Sequence, residues 1–283
     1  MPVFGETPWD TIDETWDQIA ATWGAIDVSG NALLGWTNRI AAGALSAGSE
    51  TTAAPVANLA DDQGASAWQT AGALTSWFQV DAGAPVTWRA MGIFRTNLTT
   101  AATVRWKLGT TAGAADVADS LAQSGIVAGY NQLTYEFGQD YTARYLRIEI
   151  TDLANPDGFL KVGLAYGGPM FQPTRNFSYG AAIGRESEVA EVVSRGGQEF
   201  PTHNWSRRAW DLAFDFLSED EAYQQVLELD RVARFGGNVL IIPRPGSPYQ
   251  QRAALFGRLK NVAAIVVANA AVFSYRFRLT ERL

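Results

Sequence analysis

The 283-residue chain reads as a mainly β protein, with two successive β-sandwich units and one substantial helix. Two stretches carry that expectation. Residues 205–246 alternate as strand, helix and strand, and Pro55 to about Pro169 holds a succession of short strands with no convincing long helix among them. Composition agrees: 47% hydrophobic and 18% charged residues are enough to build a buried core.

The first element is a seven-residue repeat. Trp9, Trp16 and Trp23 are each followed three residues later by Ile12, Ile19 and Ile26, which on a helix makes one apolar seam between acidic flanks. An extended arm laid in a groove gives the same repeat. The segment reads either as a helix packed on its own domain or as an arm buried on a neighbouring subunit, and these six residues are the candidate interface positions. Residues 41–54, rich in Ala, Gly, Ser and Thr, read as a linker or loose loop. The expected units are therefore an arm with linker over 1–50, a sandwich over 51–170 and a second sandwich over 171–283.

In the middle unit the candidate strands are Ser76–Val80, Trp88–Arg95, Thr103–Leu108, Gln132–Phe137, Tyr145–Ile150 and Leu160–Tyr166. Their spacing fits an antiparallel sandwich, and a fragment of 50–172 is expected to fold alone. In the last unit Trp210, Leu212, Phe214 and Phe216 alternate with polar neighbours. Ser218 and Glu221 stand three apart as a capping box for a helix over 218–234, with Arg231 and Arg234 near its end and Gly236-Gly237 as the stop. Val239 to Ile242 reads as a short buried strand. The final strand, Ala271 to Leu283, repeats the alternation, with Arg276 and Arg278 matching Asp211 and Asp215. It is expected beside 210–216 in one sheet, under a helix whose Tyr223 and Val226 rest on Phe214 and Phe277.

Two resemblances rest on particular residues. Asn58-Leu59, Trp68, Val80-Asp81-Ala82-Gly83, Asn97-Leu98, Thr103-Val104-Arg105 and Ala143 to Ile148 resemble the discoidin (F5/8 type C, galactose-binding-like) jelly roll over roughly 55–170, with Ala82 where that family usually carries Leu. From about Phe171, Phe177-Ser178-Tyr179-Gly180, Arg195 to Phe200, the strand–helix–strand unit and Leu279 to Leu283 are similar to distal tail and baseplate proteins of phages. The second resemblance implies a β-sandwich flanked by one helix that packs as a ring around a tail axis.

Chemistry-bearing constellations are scarce. Zero cysteines exclude disulfides and thiolate sites, and suit a reducing compartment. His203 is the sole histidine, and no G-x-S-x-G elbow accompanies it. Asp81, Asp140, Asp152 and Asp157 invite a glycosidase or calcium reading, but Asp152 to Gly158 fails the EF-hand template and Asn155-Pro156-Asp157-Gly158 is a turn by its own chemistry. Trp68, Trp77, Trp88 and Trp106 could stack on sugar, with core packing the stronger reading. The net charge of −7 is uneven: residues 1–50 hold seven acids and one Arg, while 200–283 hold eleven bases and eight acids. That argues for complementary protein surfaces and against nucleic acid. No apolar run reaches membrane-spanning length, and no secretory leader is legible.

The expected function is non-enzymatic: a structural component of a phage or phage-like tail tip, assembled in the bacterial cytoplasm into a ring (six copies being one option) with tail-tube, hub and baseplate proteins as partners. The alternative is a module that binds a host-surface glycan. No cofactor and no catalytic or metal-binding residue is assigned.

Overall fold

A computed structural model describes residues 28–260, 262–269 and 272–282, and within these the chain is mainly β, as expected. The tryptophan–isoleucine repeat of 9–26 lies outside the described residues.

The jelly roll is built from two long strands, β4 (Thr75–Phe94) and β7 (Gln132–Thr151), paired antiparallel along most of their length. Each unites two of the shorter strands legible in the sequence. The breaks between those stretches are register shifts, at Asp81/Val86 and Trp88/Ala90, where the ribbon bends and the sheet curls over its own core. Strands β2 (Ala44–Ala47) and β9 (Leu164–Gly168) both pair with β4, while β5 (Thr103–Gly109) and β6 (Ala118–Asp119) extend the sheet beyond β7. The alternation of β5 buries Val104, Trp106 and Leu108 against Phe78, Val80, Leu146 and Ile148. Residues 41–54 are therefore not simply a linker. Leu45 pairs with Val80, and the stretch supplies a sheet strand despite its small side chains.

The C-terminal sheet has the order β1-β12-β13-β15-β11-β10, with β14 (Val266–Asn269) also on β15. Its strands are β1 (Leu33–Gly35), β10 (Ala182–Val193), β11 (Glu199–Leu217), β12 (Asn238–Ile242), β13 (Leu255–Lys260) and β15 (Val272–Glu281). Strand β15 lies antiparallel to β11 with Ala213 opposite Arg276 and Asp211 opposite Arg278, the pairing read from the sequence. Arg276 reaches Asp215 at 3.2 Å and Arg278 reaches Asp211 at 3.0 Å. A bulge after Phe214 turns Leu217 inward and leaves Phe216 outside, so the simple alternation ends two residues early.

Ser218 and Glu221 form the capping box: the Ser218 amide donates to Glu221 Oε2 at 2.9 Å and the Glu221 amide to Ser218 Oγ at 3.3 Å. The helix behind it starts with a π-type segment, Glu221–Val226, and continues as α-helix Leu227–Arg234. Val226, Ala222 and Leu229 pack in the core with Phe214 and Phe277, while Tyr223 meets Phe273 edge to face instead, and stays half outside. Gly236 closes the helix at φ +81°, a conformation that disfavours any side chain.

The two sheets share a third apolar cluster. Leu33, Leu240, Ile242, Ala254 and Phe256 of the C-terminal sheet and its edge meet Ala90, Phe94, Leu164 and Tyr166 of the jelly roll, with Phe94 and Phe256 stacked at 4.9 Å. A short helix, Gln250–Ala253, seals the seam: Gln250 and Gln251 bond to Thr134, and Gln132 donates to the Ala254 carbonyl at 2.8 Å.

Candidate functional site

The jelly roll disposes of its aromatics in two ways. Trp68, Trp88 and Trp106 are fully buried, and the Trp68 and Trp88 indoles donate to the Ser49 and Ala143 carbonyls, so these three are core residues. Trp77 is half-buried on the opposite face of β4, and Arg147 lies over its ring at 4.0 Å. Arg147 in turn bonds Glu149, which also takes Lys107 at 2.8 Å. The charges on this face thus neutralise one another around an indole already covered by a guanidinium.

A more open arrangement sits at the second break in β7. Trp88 pairs with Tyr141 and Ala90 with Glu136, so residues 137–140 have only Arg89 opposite them and are thrown out of the ladder. Gly138 permits the bend at φ +77°, and its amide donates to Glu136 Oε2 at 2.8 Å. The displaced residues extend an aromatic row out of the core. Tyr135 stacks on buried Trp106 at 5.4 Å, Phe137 meets Tyr135 edge to face at 5.0 Å, and Tyr141 meets Phe137 at 5.4 Å. Tyr135, Phe137 and Tyr141 are all half-buried at the rim of the core.

Polar groups occupy the other face of the same strands. Arg89 lies 3.6 Å from Glu136 and 3.9 Å from Asp140, and Arg105 makes a paired contact with Asp119. Arg89 Nε is buried and faces Glu136 at 3.6 Å, just beyond hydrogen-bond distance. Burial, reinforced by the charge of Glu136, pushes the Tyr135 phenol above its ordinary range, so it is a neutral donor at any physiological pH. Rings with half-exposed edges and two phenols suit recognition of a ligand with both C–H faces and hydroxyls.

The other residues singled out by sequence are separated. Asp81 pairs with Arg144 at 2.7 Å, and that bidentate bond holds its carboxyl down at about 2. Asp152 is buried and accepts from the Thr99 amide and hydroxyl, both at 2.7 Å; Asp157 accepts from Asn97 at 2.9 Å. These two carboxylates tie the loops after β4 and β7 together. Asp140 alone of the four lies in the β7 bulge, 3.9 Å from Arg89. Among the described residues no group of three or more His, Asp or Glu stands ready for a metal. His203 is exposed within β11, opposite Val189.

No protein-family profile matches the chain, and no curated protein matches it. Solved structures similar to it include lectin domains and carbohydrate-binding modules. The lectin domain of lectinolysin complexed with Lewis B antigen is 17% identical, covers 46% of this chain and 95% of its own, and has a TM-score of 0.37. A Clostridium perfringens CBM32 module in complex with GalNAc-β-1,3-galactose is 9% identical over 46% and 98%, with a TM-score of 0.39. A Streptococcus pneumoniae fucose-binding module is 16% identical over 49% and 96%, at 0.37.

Proposed function

We propose that this protein binds carbohydrate through its jelly roll, on the aromatic row that the β7 bulge carries to the surface. The row of Tyr135, Phe137 and Tyr141 is the observation that supports this reading. A pyranose lays its C–H face on such rings while its hydroxyls exchange bonds with the two phenols. Tyr141 is the step furthest from the core, so Tyr141→Ala removes a contact without emptying the interior. On a glycan array the full chain should retain a defined set of sugars. The Tyr141→Ala variant should lose about tenfold or more in affinity, the equivalent of ~1.4 kcal/mol, and Tyr141→Phe should recover part of it. Failure to bind any glycan, or binding untouched by Tyr141→Ala, overturns the proposal.

A second reading has its own support in the C-terminal sheet. Strands β10 and β11 run on as a hairpin from Glu188 to His203 in which almost every residue is exposed, Val189, Val192, Val193 and Phe200 among them. Apolar side chains on a projecting ribbon suit burial against another subunit. This favours a structural part in a phage or phage-like tail tip or baseplate, in which copies join as a ring and display the jelly roll toward a host surface. The seam of Trp9, Ile12, Trp16, Ile19, Trp23 and Ile26 is proposed as a further subunit contact. Deleting 189–203 should leave a folded glycan binder that no longer enters tail particles; normal incorporation would exclude this role for the hairpin.

A further inference from the structure

We infer that the cleft between the jelly-roll loop 63–65 and strands β13 and β15 binds a small ligand carrying an anionic group, a sugar carboxylate or sugar phosphate. The cleft encloses about 490 Å³, a volume suited to a sugar-sized molecule. Four cationic side chains line it: Arg207, Arg258, Lys260 and Arg282. Arg207 is committed to Glu186 at 2.6 Å. Among the described residues the one carboxylate in the lining, Glu281, is committed to Arg208 at 2.5 Å. Arg258, Lys260 and Arg282 have no carboxylate within ion-pair distance among the described residues. Asp62, whose carboxyl burial pushes upward, feels Arg282 only through space.

The arrangement is set by the fold. Lys260 stands opposite Arg278 and Arg258 opposite Thr280 across the β13–β15 pair, so both basic residues project from the same sheet face toward loop 63–65. Three like charges gathered in one concavity repel one another, and the chain as a whole carries −7. An oxyanion placed among them relieves that repulsion and takes charge-assisted bonds from guanidinium and ammonium together. This cleft is a different place from the aromatic row, so the inference stands whether or not the row binds sugar.

The test is calorimetric titration of the full chain with glucuronate and with glucose 6-phosphate, using glucose as the neutral control. Both anions should bind, glucose should not, and affinity should fall as salt rises. The exposed pair Arg258→Gln/Lys260→Gln should weaken anion binding at least about tenfold with the melting temperature unchanged, and Arg282→Gln should act in the same direction. Tyr141→Ala should leave it alone. Binding of only glucuronate or only the phosphate supports the site and narrows it to that acid. Binding of neither, equal binding of glucose, or affinity indifferent to the double substitution overturns it.

Discussion

Arg208 is one residue on which both sheets depend. It is buried, and its guanidinium bonds Glu281 Oε1 at 2.5 and 3.0 Å, Gln132 Oε1 at 2.7 Å and the Ala254 carbonyl at 3.0 Å. Tyr130 packs on it at 5.2 Å. Arg208→Met removes the cation but leaves Glu281, a glutamine oxygen and a carbonyl without it, so the expected loss is about 3–5 kcal/mol by denaturant unfolding. Asp81 offers a pH test. Its bond from Arg144 lowers the folded pKa to about 2 from an ordinary 3.8. The stabilisation is therefore complete above the unfolded value and lost as pH falls through about 2. Urea melts of wild type should weaken between about pH 4 and pH 2 more steeply than those of Asp81→Asn, which should be the less stable protein at pH 7. Equal slopes for the two proteins would mean the ion pair contributes nothing.

Among the elements, the β11–β15 pair allows a direct check. Ala213 and Arg276 are cross-strand partners, and facing residues in an antiparallel pair have Cα atoms about 4.5–5.5 Å apart, within disulfide reach. Ala213→Cys/Arg276→Cys should oxidise within one chain; a crosslink found only between chains would contradict the register. This pair was legible because Asp211, Asp215, Arg276 and Arg278 mark matching polar faces on strands of strict period two. The helix was legible for a similar reason, since Ser218, Glu221 and Gly236 are each required by local backbone geometry. Leu33-Leu34-Gly35 gave no such sign: three residues carry no period, and what makes them a strand is a partner far away at 240–242. The same limit hid the aromatic row. Tyr135 and Phe137 alternate as strand residues should, but that Tyr141 joins them depends on a bulge opposite Arg89, which is a property of two strands together. For the buried tryptophans, pattern sufficed for Trp68, Trp88 and Trp106, whereas Trp77 differs only in which face of β4 it occupies.

For the whole molecule, the apolar seam of Phe94, Tyr166, Leu240 and Phe256 argues that the two sheets unfold together. Cutting at 50 removes β2, which pairs with β4, and separation from the C-terminal sheet bares Phe94 and Tyr166 to water. A fragment of 50–172 is therefore expected to be less ordered than a fragment of 28–172, and both less stable than the full chain. Dispersed amide spectra of equal quality for all three would show that the jelly roll needs neither β2 nor the C-terminal sheet.

The pairing of Leu33 with Ile242 also sets a timetable. The jelly-roll strands lie between Ala44 and Gly168, so that unit can close while the ribosome is still adding the C-terminal sheet. β1 has to wait for a partner made roughly 200 residues later, about 10–40 s at ordinary elongation rates. Through that interval a Leu-Leu segment rides on the nascent chain with its β12 partner not yet made. Slower codons between 170 and 238 would lengthen the wait without altering a single amino acid.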